Sequence, residues 1–109
     1  MDISKKNMTR LKKIYKSSET TQEVIRLRRL IILHSIIYYS LNTSIIPDSL
    51  FDDICKRLVG LQDKAGTKFD YFDEEFKDFD GSTGMHLTNP YMMKIFGEQA
   101  QYLVDSNSR

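Results

Sequence analysis

At 109 residues and 40% hydrophobic content, the chain is sized for one domain with one modest core, which weighs against a multi-lobed nucleotide-processing enzyme. The single cysteine, Cys55, excludes an internal disulfide, fits a reducing cytoplasm, and reads as a small core residue beside Ile54. A net charge of +1 conceals an asymmetry: residues 1–17 hold Lys5, Lys6, Arg10, Lys12, Lys13 and Lys16 against Asp2, whereas residues 69–80 hold Asp70, Asp73, Glu74, Glu75, Asp78 and Asp80 against Lys77.

In chain order, residues 1–17 form a basic arm in which Ile3, Met8, Leu11, Ile14 and Tyr15 recur loosely at helical spacing, so a short, fraying helix is expected there. Met1 is followed by Asp2 and a basic polar segment, and no signal peptide is expected. Thr20 and Glu23 fit a capping box that would start the first long helix, running from about Thr21 to Leu41. Val24, Leu27, Leu30, Ile31, Ile37, Tyr38 and Leu41 make one apolar stripe, which Ile32, Leu33 and Ile36 widen. A stripe that wide calls for cover on two sides, while Arg26, Arg28 and Arg29 fall mostly on the remaining face. The apolar run Leu30–Leu41 is interrupted by His34 and Ser35 and is too short to span a bilayer.

The stretch "NTSIIPD" ends this helix and opens another, with Pro47 tolerated in a first turn and Asp48 favoured at the positive helix end. Leu50, Phe51, Ile54, Leu58 and Leu61 carry the second helix to about Gln62, and the short connection predicts an antiparallel hairpin. Residues 63–68 read as a linker. The segment "FDYFDEEFKDFDGSTG" has two readings: one face of a helix through Phe69, Phe72, Phe76 and Phe79, or an irregular wrap with a small β-hairpin in residues 66–88. Gly81 and Gly84 mark a turn. Asn89 and Pro90 look like the N-cap and first position of a final helix through about Val104, with Met92, Ile95, Phe96, Gln99 and Leu103 on one face. The expectation is therefore a mainly α fold, a helical hairpin plus a C-terminal helix, spanning residues 18–105 with a disordered tail at 106–109.

One constellation carries chemistry. Asp48 and Asp52 lie one helical turn apart and share a face with Phe51, and in an antiparallel hairpin Tyr38 and Tyr39 approach them at the loop end. Aromatic walls with carboxylates between them suit a flat cationic ring bearing hydroxyls. The competing reading makes the rings core and the aspartates helix caps. The "GSTG" turn offers N–H groups to a phosphate or is a plain turn. His34 reads as an ordinary helix histidine, His86 has no partner visible in the sequence, and neither has a neighbour at metal-ligand spacing, so no metal is expected.

The stretch "HSIIYYSLNTSIIPDSLFDDICKRLVGLQ" resembles the small N-terminal helical domain of bacterial NAD⁺-dependent DNA ligases, over roughly residues 23–62. That domain carries the pattern Y-[HY]-x-x-D-x-P-x-I-x-D-x-x-Y-D-x-L and grips the nicotinamide mononucleotide (NMN) half of NAD⁺. The resemblance puts Tyr38 and Tyr39 at the aromatic pair, Asp48 at the first aspartate of the second helix, Phe51 in place of a tyrosine, and Asp52 at the aspartate after it. It implies NMN or NAD as ligand. Phe51 lacks the family's hydroxyl, and Asn42 and Ser44 replace an aspartate and a proline in the loop. The K-x-D-G nucleophile of the ligases is absent, since "KDFDG" at Lys77–Gly81 has one residue too many, so no catalysis is expected. Short ligase-like chains also resemble accessory proteins of bacteriophages. That implies an alternative: an inhibitor of a host enzyme or of a defence nuclease such as a CRISPR effector, acting in the bacterial cytoplasm. Its contact surface would be the acidic segment of Asp70, Asp73, Glu74, Glu75, Asp78 and Asp80. A third expectation is a DNA-repair accessory whose basic arm touches phosphates.

Overall fold

A computed structural model describes residues 16–107; the expected helix in the basic arm and the last two residues of the tail lie outside the described residues. Helix α1 is Ser18–Tyr39, α2 is Asp48–Ala65, α3 is the single turn Asp73–Phe76, and α4 is Pro90–Asn107, with a 3₁₀ turn at Met85–Thr88. The fold is mainly α, and among the described residues there is no strand. Among them, too, no helix is long and apolar enough to cross a membrane.

Helix α1 starts three residues before the expected position because Ser17, not Thr20, caps it: the Ser17 side chain accepts from the Thr20 N–H at 3.1 Å. Glu23 is thereby released from capping. It accepts from Arg57 of α2 at 2.9 Å and from Arg26 at 2.8 and 3.0 Å, tying the hairpin across its open flank. Nine residues of α1 are buried, among them Val24, Leu27, Ile31, Ile32 and Ile36. Helices α2 and α4 and the 3₁₀ turn all pack on α1, so the wide stripe is covered from several sides as expected.

Helix α2 runs three residues past Gln62 and stops at Gly66, whose φ of 87° is open to glycine and whose N–H donates to the Gln62 carbonyl at 2.8 Å. Its buried seam is Cys55, Leu58, Gln62 and Ala65, with Phe51, Ile54 and Leu61 half-buried beside it. Leu50, expected on that seam, is exposed. In α4 the Asn89 side chain accepts from the Met92 N–H at 2.9 Å, the expected cap ahead of Pro90. Met92, Phe96 and Ala100 face the core, Ile95 turns outward, and the helix continues three residues beyond Val104.

The segment between α2 and α4 takes the irregular form rather than a β-hairpin. Asp70 and Phe72 have left-handed φ values of 55° and 57°, and the Asp73 carboxylate collects the N–H groups of Phe69 and Asp70 at 3.0–3.2 Å. Backbone donors committed to one carboxylate have no ladder to join. Phe69 and Phe76 are buried, and Phe72 and Phe79 pack on the core from outside.

The centre of this wrap is Arg28. The spacing Val24–Arg28–Ile32 puts it inside the apolar stripe, not on the outer face, and its side chain is fully buried. Every arm of the guanidinium is used. Nε and Nη2 donate to Gln62 Oε1 at 3.0 and 2.8 Å, Nη2 to the Thr67 carbonyl at 3.0 Å, and Nη1 to the Tyr71 carbonyl at 2.7 Å and Asp73 Oδ1 at 2.6 Å. The Phe69 and Phe76 rings each lie 5.3 Å from the guanidinium carbon. Gln62 passes the network on by donating to the Phe76 carbonyl at 3.0 Å. Arg28 is thus the post around which residues 67–76 are wound.

Candidate functional site

The antiparallel hairpin brings the end of α1 against the start of α2, and the Gly81–Gly84 turn closes over the third side. Between them lies a cleft of about 220 Å³. All five residues singled out from the sequence line it: Tyr38 and Tyr39 from α1, and Asp48, Phe51 and Asp52 from α2. The rest of the wall comes from His34 and Ile37, from Ser44–Ile46 of the connecting loop, and from the glycine turn.

Local structure explains each placement. The last turn of α1 ends where the Leu41 N–H shares the Ile36 carbonyl at 3.1 Å and the Thr43 N–H reaches back to Ile37 at 3.2 Å. Asn42 at φ 53° then reverses the chain. Ser44 donates its hydroxyl to the Ile46 carbonyl at 2.8 Å, which fixes the approach to Pro47. Pro47 stands at the N-cap with extended backbone and supplies no side-chain cap, so Asp48 is the first helical residue. The Tyr38 and Tyr39 rings meet edge to face, centroids 4.9 Å apart, and Tyr39 is held by a 3.1 Å hydrogen bond between its hydroxyl and that of Thr83. Tyr38 is 56% exposed, which puts its face at the mouth.

Charge is distributed unevenly over the cleft. Asp48 and Asp52 are exposed carboxylates that make no ion pair among the described residues. No lysine or arginine is among the described lining residues. His34 is half-buried, and burial lowers its pKa, so the imidazole is neutral at physiological pH and donates or accepts a hydrogen bond. Behind the cleft, burial first and the Asp52 charge second push the Cys55 thiol up to about 11, which keeps it protonated and unreactive. Among the described residues no group of three or more His, Cys, Asp or Glu is placed to hold a metal ion.

The Gly81–Gly84 turn is the part of the wall that local pattern leaves unplaced. It reaches the cleft because Gly84 is buried against Ser35 of α1, where a Cβ would run into the serine hydroxyl. Ser35 is itself buried, and its hydroxyl has no hydrogen-bond partner among the described residues. Two small residues, one on the helix and one in the turn, allow this close approach. Only the pairing of Ser35 with Gly84 signals it, and they are far apart in the chain.

The acidic segment divides. Asp73 points inward to Arg28; burial would raise its pKa, but hydrogen bonds from the Phe69 N–H, Arg28 and the Asp70 and Tyr71 N–H groups outweigh this and hold it below its ordinary value. Glu75 is half-buried, with its carbonyl bonded to His86 Nε2 at 2.9 Å. Asp80 accepts from the Ser82 hydroxyl and N–H at 2.6 and 2.9 Å. Asp70, Glu74 and Asp78 face solvent, with Glu74 paired to Lys77 at 3.0 Å. They do not join the cleft.

Comparisons with protein-family models, with curated proteins and with solved structures return no match. Function is therefore argued from the cleft's own chemistry, which is aromatic faces, two carboxylates, a neutral imidazole and small polar side chains around a space smaller than the roughly 300–1,000 Å³ of drug-sized sites.

Proposed function

We propose that this chain is a non-catalytic binding module for the nicotinamide end of NMN or NAD. The observation that carries the reading is the convergence of Tyr38, Tyr39, Asp48, Phe51 and Asp52 on one cleft from two helices. The positively charged pyridinium ring stacks on an aromatic face, and carboxylates balance its charge and accept from ribose hydroxyls. A cleft of about 220 Å³ suits one ring with its sugar, and the rest of a dinucleotide would extend beyond it. The spacing shared with the ligase domain supports the same ligand class. The reading is of capture, not conversion, in keeping with the missing K-x-D-G nucleophile of the ligases.

The test is an NMR titration of the full chain with NMN, NAD⁺, NADH and AMP. The expected result is saturable shifts at Tyr38, Tyr39 and Phe51 with the oxidised nicotinamide ligands alone, lost in Asp52→Ala. Unmoved resonances at millimolar ligand would refute it.

A second reading, an inhibitor that docks on a host protein, draws on a different surface. Tyr91, 60% exposed, stands beside Asp70 and Glu74 in a shallow depression on the α3 side. That face suits a basic partner, and charge reversal at Glu74 would abolish such docking while leaving the cleft untouched. The third expectation, contact with nucleic acid through the basic arm, rests on residues outside the described ones.

A further inference from the structure

We infer that the cleft selects the nucleoside over the nucleotide: it takes a pyridinium N-riboside and disfavours the same molecule once phosphorylated. This rests on the reading above and narrows it. The first observation is the charge of the wall, with Asp48 and Asp52 on it and no lysine or arginine among the described lining residues. Nicotinamide riboside brings a cation and hydroxyl donors, both of which carboxylates satisfy. NMN adds close to two negative charges to a place that already holds two.

The second observation concerns the glycine turn, the natural place to look for a phosphate cradle. The donors at Ser82, its tip, are already engaged. The Ser82 N–H and hydroxyl both donate to Asp80 Oδ1, at 2.9 and 2.6 Å. The Met85 N–H donates to Thr83 Oγ1 at 3.2 Å, and the Leu87 N–H to the Gly84 carbonyl at 2.9 Å. The same two bonds from Ser82 lower the Asp80 pKa, so the turn carries a carboxylate where an anion site would carry an anion. A phosphate at Ser82 would have to displace the Asp80 carboxylate.

The remaining attraction for an anion is the amino end of α2, which faces the cleft. There the chain supplies its own negative group, Asp48 in the first turn. The Leu50 and Phe51 N–H groups are turned to the Pro47 carbonyl at 3.1 and 3.2 Å. Three separate features (wall, turn and helix end) therefore point the same way.

The experiment is calorimetric titration of the full chain with nicotinamide riboside and with NMN, at low and at high salt, repeated on Asp80→Asn. That variant keeps the Oδ1 acceptor for Ser82 and removes only the charge. The expected result is a riboside affinity on the order of tenfold above that of NMN at low salt, from like-charge repulsion across a solvated cleft. The gap should narrow at high salt and in Asp80→Asn, as screening and neutralisation require. NMN binding as tightly as the riboside or tighter would overturn the inference and leave the nicotinamide reading standing. A gap that salt leaves unchanged would overturn its electrostatic basis. If neither ligand binds, the nicotinamide reading fails, and the inference with it.

Discussion

The middle and the C-terminal end of α1 use charge in opposite ways. Around Arg28 a buried cation meets a carboxylate, an amide oxygen and two backbone carbonyls, each at 3.0 Å or less, between two phenylalanine rings. Around Tyr38 and Tyr39, about 15 Å further along the helix, two carboxylates stand exposed beside aromatic surface with no cation among the described lining residues. Both regions combine aromatic rings with charge, yet one is closed and the other open. A charge sealed in the interior is kept only if its hydrogen bonds are all made, because an unpaired one is expensive. The cleft carboxylates, by contrast, are exposed and make no ion pair among the described residues. That contrast separates scaffold from site more sharply than composition does, since both regions are rich in Asp, Phe and Tyr.

The strongest way to break the comparison is to open the closed region. Asp73→Ala leaves Arg28 buried without its counter-charge and frees the N–H groups of Phe69 and Asp70, and should cost about 3–5 kcal/mol. Thermal unfolding followed by circular dichroism should show a fall in Tm of at least 10 °C, at roughly 4–8 °C per kcal/mol for a domain near this size. A fall of only a degree or two would mean that the network is incidental. Arg28→Met, which exchanges the charge for apolar volume, should be milder than Arg28→Ala, which also leaves a cavity.

The same network sets an acid limit. The folded-state pKa of Asp73 lies below its ordinary value of 3.8, so its contribution is present at neutral pH and is lost as pH falls from that value through the lowered folded one. Stability measured by urea denaturation should be level in this respect above about pH 5 and drop below pH 4. Asp73→Asn should flatten that part of the profile, because the remaining groups do not share its hydrogen bonds.

Which parts of this were legible in the sequence follows from how local each signal is. The cap at Asn89, the Pro90 start and the apolar stripe of α1 depend on neighbours within one or two turns, and the structure has them as expected except at Tyr38, which is exposed. The five cleft residues converge because an antiparallel hairpin leaves little choice at its loop end. Arg28 shows a different limit. Its spacing from Val24 and Ile32 placed it in the stripe, but its charge argued for the outer face, and only partners at residues 62–73 reconcile the two. Helix α2 overran its expected end for a similar reason. Ala65 is buried, and the break comes at Gly66, where the chain needs a positive φ. The glycine turn reaches the cleft through Ser35 and Gly84, a contact that no window of sequence contains.

That contact supplies the next test. Gly84→Ala puts a methyl group into the Ser35 hydroxyl and should cost about 1–3 kcal/mol by overpacking. The turn would lift from α1, and the 3.1 Å bond between Tyr39 and Thr83 would lengthen or break. Amide exchange at Ser82–Met85 should quicken while exchange around Leu27 and Ile31 stays as it was. Pairing the variant with Ser35→Gly should recover part of the loss, which a cause elsewhere in the turn would not allow.

The smallest expected effect is the most pointed one. If the open end is a site and not scaffold, its carboxylates should be nearly irrelevant to folding. Asp48 is not the cleanest probe, because a negative charge in the first turn of α2 interacts with the helix dipole by about 0.3–1 kcal/mol. Asp52 lies beyond that turn, is exposed, and makes no ion pair among the described residues. Asp52→Asn should therefore change stability by less than about 0.5 kcal/mol in urea denaturation. The same substitution should weaken nicotinamide riboside at least several-fold, because a charge-assisted hydrogen bond contributes roughly 1.5–3 kcal/mol. A substitution that is silent for the fold and severe for the ligand marks a residue kept for binding. If Asp52→Asn instead destabilises the domain as Asp73→Ala does, the two regions of α1 are alike, and the cleft is another piece of scaffold.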